Sequence, residues 1–226
     1  METNADLLPC VEIEPRKPAT AAVVWLHGLG ADGNDFPPIL PHLGLDESLA
    51  VRFVFPHAPR IPVTLNMGMV MPAWYDIAGP DLRHRQDTAG IQRSAAQVRA
   101  LLEREIERGV PSRRIVLAGF SQGGAIAVHV ALRFPQPLAG VIALSTYLVL
   151  GEELEAELSA ANRGLPVFQA HGSVDPMVPI ERGEGLRARL EELGCEVTWR
   201  EYPMLHEVCL EEIGEIGAWM HARLGG

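Results

Sequence analysis

Short apolar runs rich in β-branched residues recur along the chain, separated by polar or amphipathic segments. Runs of this length and composition are typical of strands buried in a parallel sheet. They predict strands over 11–14, 21–26, 51–55, 114–118, 138–145, 165–170 and 196–202. The first of these is expected at an edge of the sheet.

Helical periodicity fills most of the intervals between these strands. The clearest helix carries apolar residues three or four positions apart, namely Ile91, Ala95, Val98, Leu102 and Ile106, and ends at Gly109 and Pro111. Further helices are predicted over 35–43, 125–133, 152–161, 186–193 and 208–220. Strands that alternate with helices indicate an α/β fold: a mostly parallel central sheet, helices on both faces and right-handed crossovers.

Regular periodicity is lost between residues 57 and 86, which are rich in proline, methionine and aromatic residues. A loop of this length is usually functional. Flexible thioethers accommodate variable apolar chains, so part of this segment is expected to line an acyl-binding groove. The residues expected in that groove are Met69, Met71, Trp74 and Val178. The alternative is that the methionines and aromatics are core residues beneath a long loop.

Length and composition narrow the class of protein. A chain of 226 residues without repeats or linkers is expected to form one domain, residues 1–226. No apolar run is long enough to span a membrane, and the first residues do not resemble a secretory signal. Three cysteines suggest reduced thiols in a cytoplasmic protein. The net charge of −10 argues against binding to nucleic acid or to an anionic membrane.

One stretch carries a chemical signature. The predicted strand 114–118 runs into Gly-Phe-Ser-Gln-Gly, residues 119–123, and then into a helix of small residues. Strand, G-x-S-x-G turn and helix together form a nucleophile elbow, which exposes the serine at its apex. The glycines at 119 and 123 are required because the two backbones nearly touch in so tight a turn. Ser121 is therefore the candidate nucleophile.

A serine of this kind needs a base and an acid, which follow it in the order acid, then histidine. His206 fits the base, because it lies between the last predicted strand and the last helix. His171 precedes the best acid candidate, and His221 falls inside the terminal helix. The acid is Asp175, which follows the strand 165–170, although it could instead only cap the Pro176 turn.

A tetrahedral intermediate also needs donors for its oxyanion. One is the backbone N–H of Gln122, which follows the nucleophile. The other is expected in the glycine-rich loop after the strand 21–26, at Leu29 or one residue to either side. His27, in the same loop, is expected to have a structural role.

With these residues in place, the sequence resembles the carboxylesterase and acyl-protein thioesterase (lysophospholipase-like) branch of the α/β-hydrolases. The resemblance implies an α/β-hydrolase fold with a small cap or none, a triad of Ser121, Asp175 and His206, no metal or cofactor, and frequent homodimers. Similar proteins often have glycine before the catalytic histidine, where this chain has Leu205. The matching segments are WLHGLGADGNDF (25–36), FPHAP (55–59), MPAWYDI (71–77), GFSQGGAIA (119–127) and HGSVDPMVP (171–179).

The favoured function is thus a serine carboxylesterase, or thioesterase, that acts on an acyl ester and needs no cofactor. Its alternatives are a lysophospholipase or acyl-protein thioesterase specialised for long acyl chains, and a non-catalytic binding protein with the same fold. A peptidase would normally need a larger cap, and a dienelactone-type hydrolase would carry cysteine in place of Ser121.

Overall fold

Nine strands are present in the computed structural model, which describes residues 7–79 and 86–225. Seven form one sheet in the order β1-β3-β2-β6-β7-β8-β9, and β4 pairs with β5 in a separate antiparallel hairpin. Within the sheet, β1 is antiparallel to β3 and every other pair is parallel, which confirms the predicted sheet. The strands are β1 (Cys10–Ile13), β2 (Ala21–Leu26), β3 (Val51–Pro56), β4 (Arg60–Val63), β5 (Met69–Pro72), β6 (Ile115–Phe120), β7 (Gly140–Leu144), β8 (Pro166–Gly172) and β9 (Glu196–Tyr202).

Helices cover both faces of the sheet. They are α1 (Thr88–Glu107), α2 (Gln122–Arg133), α3 (Leu154–Glu157), α4 (Ile180–Glu192) and α5 (Leu210–Leu224). Helices α1, α2 and α4 share one apolar cluster with one face of the sheet. Helix α5 and the segment 36–49 share the cluster on the other face. No helix in residues 7–79 and 86–225 is long and apolar enough to cross a membrane.

Strand β2 shows why the central strands are continuously apolar. All six of its residues are buried. Ala22, Val24 and Leu26 enter the cluster beneath α1 and α2, whereas the three residues that alternate with them enter the cluster beneath α5. A strand covered on both faces has no position that favours a polar side chain.

Three predicted segments differ from the structure. The segment 57–79 contains the hairpin β4–β5, whose prolines masked the alternation of its strands. The predicted helix 35–43 is a 3₁₀ helix, Pro37–His42. The predicted helix 152–161 is wrong, since only α3 and a 3₁₀ turn, Ala160–Asn162, form there. Backbone groups of this segment form hydrogen bonds with other elements instead; for example, the Ser159 N–H donates to the Leu132 carbonyl at the end of α2.

Candidate active site

Ser121 lies at the sharp turn between β6 and α2, with φ 53° and ψ −121°. A non-glycine residue rarely adopts such a conformation, and it is maintained only where the surroundings enforce it. The Ser121 N–H donates to the Leu144 carbonyl at 2.9 Å, and the Thr146 hydroxyl donates to the Ser121 carbonyl at 2.6 Å. A Cβ on Gly119 would lie 2.5 Å from the Gly123 carbonyl carbon, so the close approach expected of this turn is present.

The side chains of Ser121, His206 and Asp175 form one hydrogen-bonded chain. His206 Nε2 lies 2.9 Å from Ser121 Oγ, and His206 Nδ1 lies 2.6 Å from Asp175 Oδ2. With Nδ1–H donating to the carboxylate, Nε2 is free to accept the serine proton. The Asp175 side chain is 0% exposed, and its Oδ1 accepts the N–H groups of Met177 and Val178 at 2.8 and 2.9 Å.

The loop that carries His206 is held against the end of β8. A Cβ on Gly172 would collide with the carbonyl oxygens of Met204 and Leu205, so the loop approaches only because residue 172 is glycine. Leu205 is not among the residues with positive φ, and the loop reaches the site without the glycine usual in similar proteins. The His206 ring packs against Phe120, with 4.7 Å between ring centroids.

The two expected oxyanion donors lie on segments in contact with each other. Gln122 is 1% exposed at the start of α2, and a Cβ on Gly28 would lie 3.6 Å from the Ser121 Cβ. Within the loop after β2, the Gly30 N–H donates to the Pro72 carbonyl at 2.9 Å and the Ala31 N–H to the Gly28 carbonyl at 3.3 Å. Because the Gly30 N–H is already hydrogen-bonded, the geometry favours Leu29 over Gly30 as the second oxyanion donor.

His27 and His171 are buried next to the site and are hydrogen-bonded to backbone. His27 Nδ1–H donates to the Gly28 carbonyl at 2.7 Å, and its Nε2 accepts the Ala58 N–H at 3.1 Å. His171 Nε2–H donates to the Val178 carbonyl at 2.8 Å and lies 3.6 Å from Asp175 Oδ2. Burial lowers the pKa of both histidines, which keeps them neutral. His206 is therefore the histidine that forms a hydrogen bond with Asp175.

The four residues expected in the acyl groove occupy different environments. Met69 is exposed on the hairpin, and Met71 Sδ lies 4.0 Å from the position a Cβ would take on Gly30. Trp74 is 1% exposed and Val178 is 3% exposed, so neither offers surface to an acyl chain in this structure. The prediction that these two residues line the groove is therefore wrong; Trp74 packs in the core, and its indole N–H donates to the His27 carbonyl at 2.8 Å.

Sequence reasoning missed the side-chain bonds of Gln122. Its Oε1 accepts the Trp74 N–H at 2.8 Å and its Nε2 donates to the Tyr75 carbonyl at 2.7 Å. A polar side chain in the first turn of a mainly apolar helix was the available signal. Thr146 was also missed, because nothing in its sequence neighbourhood indicates that it contacts the elbow.

Outside the triad, the other places for chemistry would be a metal site or a cavity. Among the described residues, no group of three or more histidine, cysteine, aspartate or glutamate side chains is placed to hold a metal ion. A cavity of about 760 Å³ lies beside Tyr147, between the segment 148–153 and α4, and no triad residue lines it. Its lining mixes apolar residues with charged ones, including Glu181 and Arg189.

Comparison with known proteins gives consistent results. The model of the phospholipase/carboxylesterase family matches residues 9–223. Acyl-protein thioesterase 1 of Neurospora crassa is 42% identical over 215 residues, which cover 91% of this chain and 87% of that protein. Acyl-protein thioesterase 1 of Mycosarcoma maydis is 40% identical over 232 residues, which cover 95% and 96%.

Solved structures agree. Acyl-protein thioesterase 2 of Zea mays superposes with a TM-score of 0.84 at 29% identity, covering 96% of this chain and 99% of that one. SOBER1 of Arabidopsis thaliana gives the same TM-score and identity, covering 90% and 99%. The resemblance found in the sequence and the α/β-hydrolase fold it implies are thereby confirmed.

Proposed function

Because this chain belongs to the phospholipase/carboxylesterase family and is an ester or thioester hydrolase, we propose that it acts through an acyl-enzyme on Ser121. Asp175 and His206 complete the triad, and the backbone N–H groups of Leu29 and Gln122 bind the oxyanion. The observation that carries the proposal is the hydrogen-bonded chain from Ser121 Oγ through His206 to a fully buried carboxylate.

In the first half of the reaction, Ser121 Oγ attacks the carbonyl carbon of the substrate while His206 Nε2 takes the hydroxyl proton. The negative charge that develops on the carbonyl oxygen is stabilised by the two backbone donors. His206 then gives the proton to the departing alcohol or thiol, which leaves the acyl group on Ser121. Asp175 accepts a hydrogen bond from Nδ1–H throughout and stabilises the imidazolium that forms.

In the second half, water replaces the serine as nucleophile. His206 Nε2 takes a proton from the water as it attacks the acyl-enzyme, and the same two donors hold the second oxyanion. Collapse of this intermediate releases the carboxylic acid as His206 returns the proton to Ser121 Oγ. The enzyme is restored with no net proton gained by the triad.

The substrate class we propose is a carboxylic ester or thioester with an apolar acyl chain. Apolar side chains lie exposed next to the triad: Val174 and Met177 on either side of Asp175, and Leu205 before His206. Met69 is exposed on the hairpin, and Met71 lies beside the glycine-rich loop that carries the proposed donor Leu29. Relatives named acyl-protein thioesterase 1 support the thioester as one of the two linkages.

A series of esters and thioesters with acyl chains from short to long tests the substrate class. Activity that rises with chain length, especially on thioesters, would favour a long-chain deacylase. A preference for short esters would favour a small-molecule carboxylesterase. Activity on charged acyl groups alone would contradict an apolar acyl site.

Ser121→Ala tests the nucleophile. Without the hydroxyl no acyl-enzyme forms, so kcat should fall by roughly 10⁴-fold or more, as triad deletions do elsewhere. A fluorophosphonate should label the wild-type protein on Ser121 and should not label the variant. Ser112→Ala, in the 3₁₀ turn that precedes β6, is the matched control. Full turnover in the Ser121 variant would refute the mechanism.

We also place the protein in the cytoplasm, because Cys10, Cys195 and Cys209 are free thiols. Recovery of the serine-dependent activity in a membrane-free cytosolic fraction would support this location, and its recovery only in a secreted fraction would contradict it. The homodimer implied by the family resemblance stays a prediction, which the molecular mass in solution would test.

A further inference from the structure

A short segment, Pro72 to Tyr75, crosses from the β4–β5 hairpin to the nucleophile elbow. We call these four residues the strap. The strap makes hydrogen bonds with both segments that carry the proposed oxyanion donors. On one side, the Pro72 carbonyl accepts the Gly30 N–H at 2.9 Å and the Trp74 indole N–H donates to the His27 carbonyl at 2.8 Å.

On the other side, the strap is bound by the carboxamide of Gln122. Gln122 Oε1 accepts the Trp74 N–H at 2.8 Å, and Gln122 Nε2 donates to the Tyr75 carbonyl at 2.7 Å. The Trp74 carbonyl accepts from the Ser94 hydroxyl on α1, and the Tyr75 hydroxyl pairs with that of Tyr147 at 2.7 Å. All three polar groups of Trp74 are therefore hydrogen-bonded, which leaves it little freedom to move.

We propose that the Gln122 side chain and Trp74 are positioning residues that set the separation of the two oxyanion donors. This inference rests on the proposed function. Leu29 is on the loop that the strap holds through His27 and Gly30, and the N–H of Gln122 is on the elbow. The two loops also contact each other directly, since a Cβ on Gly123 would collide with the His27 carbonyl oxygen. That contact prevents the two loops from approaching more closely, and the strap prevents them from separating.

The consequence for catalysis follows from how oxyanion holes work. Preorganised donors are effective because they are already placed where negative charge develops, and loss of one typically costs about 10²–10³-fold in kcat. A donor that is displaced rather than removed should cost less. Loosening the strap should weaken binding of the tetrahedral species and leave binding of the uncharged acyl chain unchanged.

Two variants test the strap. Gln122→Met keeps the length of the side chain and the backbone N–H but removes both side-chain hydrogen bonds. Trp74→Phe keeps an aromatic ring but removes the indole donor to His27. Each should lower kcat by about 10- to 100-fold and change KM by less than about 3-fold.

Each variant has a matched control far from the strap. Asn162 is also a buried carboxamide between backbone groups, accepting the Leu138 N–H at 3.0 Å and donating to the Phe134 carbonyl at 2.8 Å. Asn162→Leu should lower Tm and leave kcat unchanged. The buried indole N–H of Trp219 on α5 has no hydrogen-bond partner among the described residues. Trp219→Phe should likewise leave kcat unchanged.

The deciding readout compares two inhibitors with the same acyl chain. A trifluoromethyl ketone forms a tetrahedral adduct with the serine and places an oxyanion between the donors, whereas the corresponding secondary alcohol does not. Both strap variants should bind the ketone more weakly, by the same factor as kcat falls, and bind the alcohol as the wild type does.

Folded strap variants that retain kcat and ketone affinity, or that lose affinity for both inhibitors equally, would overturn the inference. If Gln122→Met does not fold, the result for Trp74→Phe decides. Labelling of the wild type by a fluorophosphonate distinguishes failure of the strap inference from failure of the proposed function. A wild type that is not labelled on Ser121 contradicts both, and a labelled one with unaffected variants contradicts the strap alone.

Discussion

The two carboxylate oxygens of Asp175 have different hydrogen-bond partners. Oδ1 accepts two backbone N–H groups from the turn that follows it, and Oδ2 accepts Nδ1–H of His206. The turn therefore orients the carboxylate before any substrate binds. Both oxygens of this buried carboxylate therefore have donors, three in all, which offsets the cost of burying its charge.

Asp175→Asn should lower kcat by about 10⁴-fold with little change in Tm. The two backbone N–H groups of Met177 and Val178 continue to require an acceptor, so the amide oxygen takes the place of Oδ1. The NH₂ group then faces His206 Nδ1 and favours the tautomer with the proton on Nε2, which cannot accept the proton of Ser121. Steady-state kinetics and the rate of fluorophosphonate labelling measure the effect.

Asp46 supplies the control for that substitution. Its carboxylate accepts the Ser48 N–H at 2.6 Å at the start of a 3₁₀ helix on the surface. Asp46→Asn should leave both kcat and the labelling rate unchanged. If Asp175→Asn keeps more than about a tenth of wild-type kcat, control of the tautomer by Asp175 is disproved.

Among the helices, α5 is notable for a buried acid in its first turn. Glu212 is fully buried, and neither carboxyl oxygen has a hydrogen-bond partner among the described residues. Burial raises the pKa of Glu212 from 4.5 to about 8, although the nearby Cys209 N–H lowers it. At neutral pH the side chain is therefore mostly protonated.

Glu212→Gln should remove a pH dependence of stability. Between about pH 4.5 and pH 8 the folded protein keeps a proton on Glu212 that the unfolded chain has lost. The free energy of unfolding of the wild type therefore falls as pH rises through this window, by up to about 1.4 kcal/mol per pH unit from this group. The variant lacks this loss. The difference between its free energy of unfolding and that of the wild type, measured in urea, should therefore grow in favour of the variant from pH 5 to pH 8 and then level off.

The neighbouring Glu211 is exposed on the same turn of α5 and gives the matched comparison. Glu211→Gln should show a pH profile parallel to that of the wild type. If the profile of Glu212→Gln is also parallel, the carboxyl group is not held protonated in the folded state.

The elements that the sequence predicted well are those buried on both sides. Strands β2 and β6 and helix α2 contain mainly buried residues, so their apolar runs directly reflect their environment. The hairpin β4–β5 could not be predicted because it pairs only with itself and contains Pro62 and Pro72. The segment 152–161 does not form one helix because its backbone makes tertiary hydrogen bonds, such as that of the Ser159 N–H to the Leu132 carbonyl, which no local pattern encodes.

The same limit applies within the site. The order of Ser121, Asp175 and His206 along the chain was sufficient to select the residues that the structure brings within hydrogen-bond distance. Residue type alone could not tell whether Trp74 faces a groove or the core, because an indole suits both. Its place depends on the Gln122 and His27 contacts, which join residues 47 or 48 positions apart.

At the scale of the whole molecule, the proposed chemistry and a network of ion pairs around one buried carboxylate lie at opposite ends of the sheet. The triad follows the carboxyl ends of the strands. At the other end, the carboxylate of Glu105 on α1 is 0% exposed and pairs with Arg52 at the start of β3 at 2.7 Å. Arg104 and Arg108 also pair with it, at 3.0 and 2.9 Å.

This network also joins the edge strand to the rest of the fold. Glu12 on β1 pairs with Arg104 and Arg108 at 2.9 and 2.7 Å, and Glu14 just beyond β1 pairs with Arg52 at 2.8 Å. Within the part of the chain that the structure describes, strand β1 pairs with a neighbouring strand on one side only, so these ion pairs are expected to hold it in place.

Glu105→Gln should therefore separate stability from activity. The variant leaves three arginines around a neutral side chain, and breaking a buried pair costs about 3–5 kcal/mol. Urea unfolding should show a lower midpoint with an unchanged m value, while kcat stays at the wild-type level because no strand end of the active site moves. Glu103→Gln, which breaks an exposed pair with Arg99 on the same helix, should cost about 0.5 kcal/mol or less. If kcat falls together with stability in the Glu105 variant under folded conditions, the two ends of the sheet are coupled, and the carboxyl-end site is not as independent as its geometry indicates.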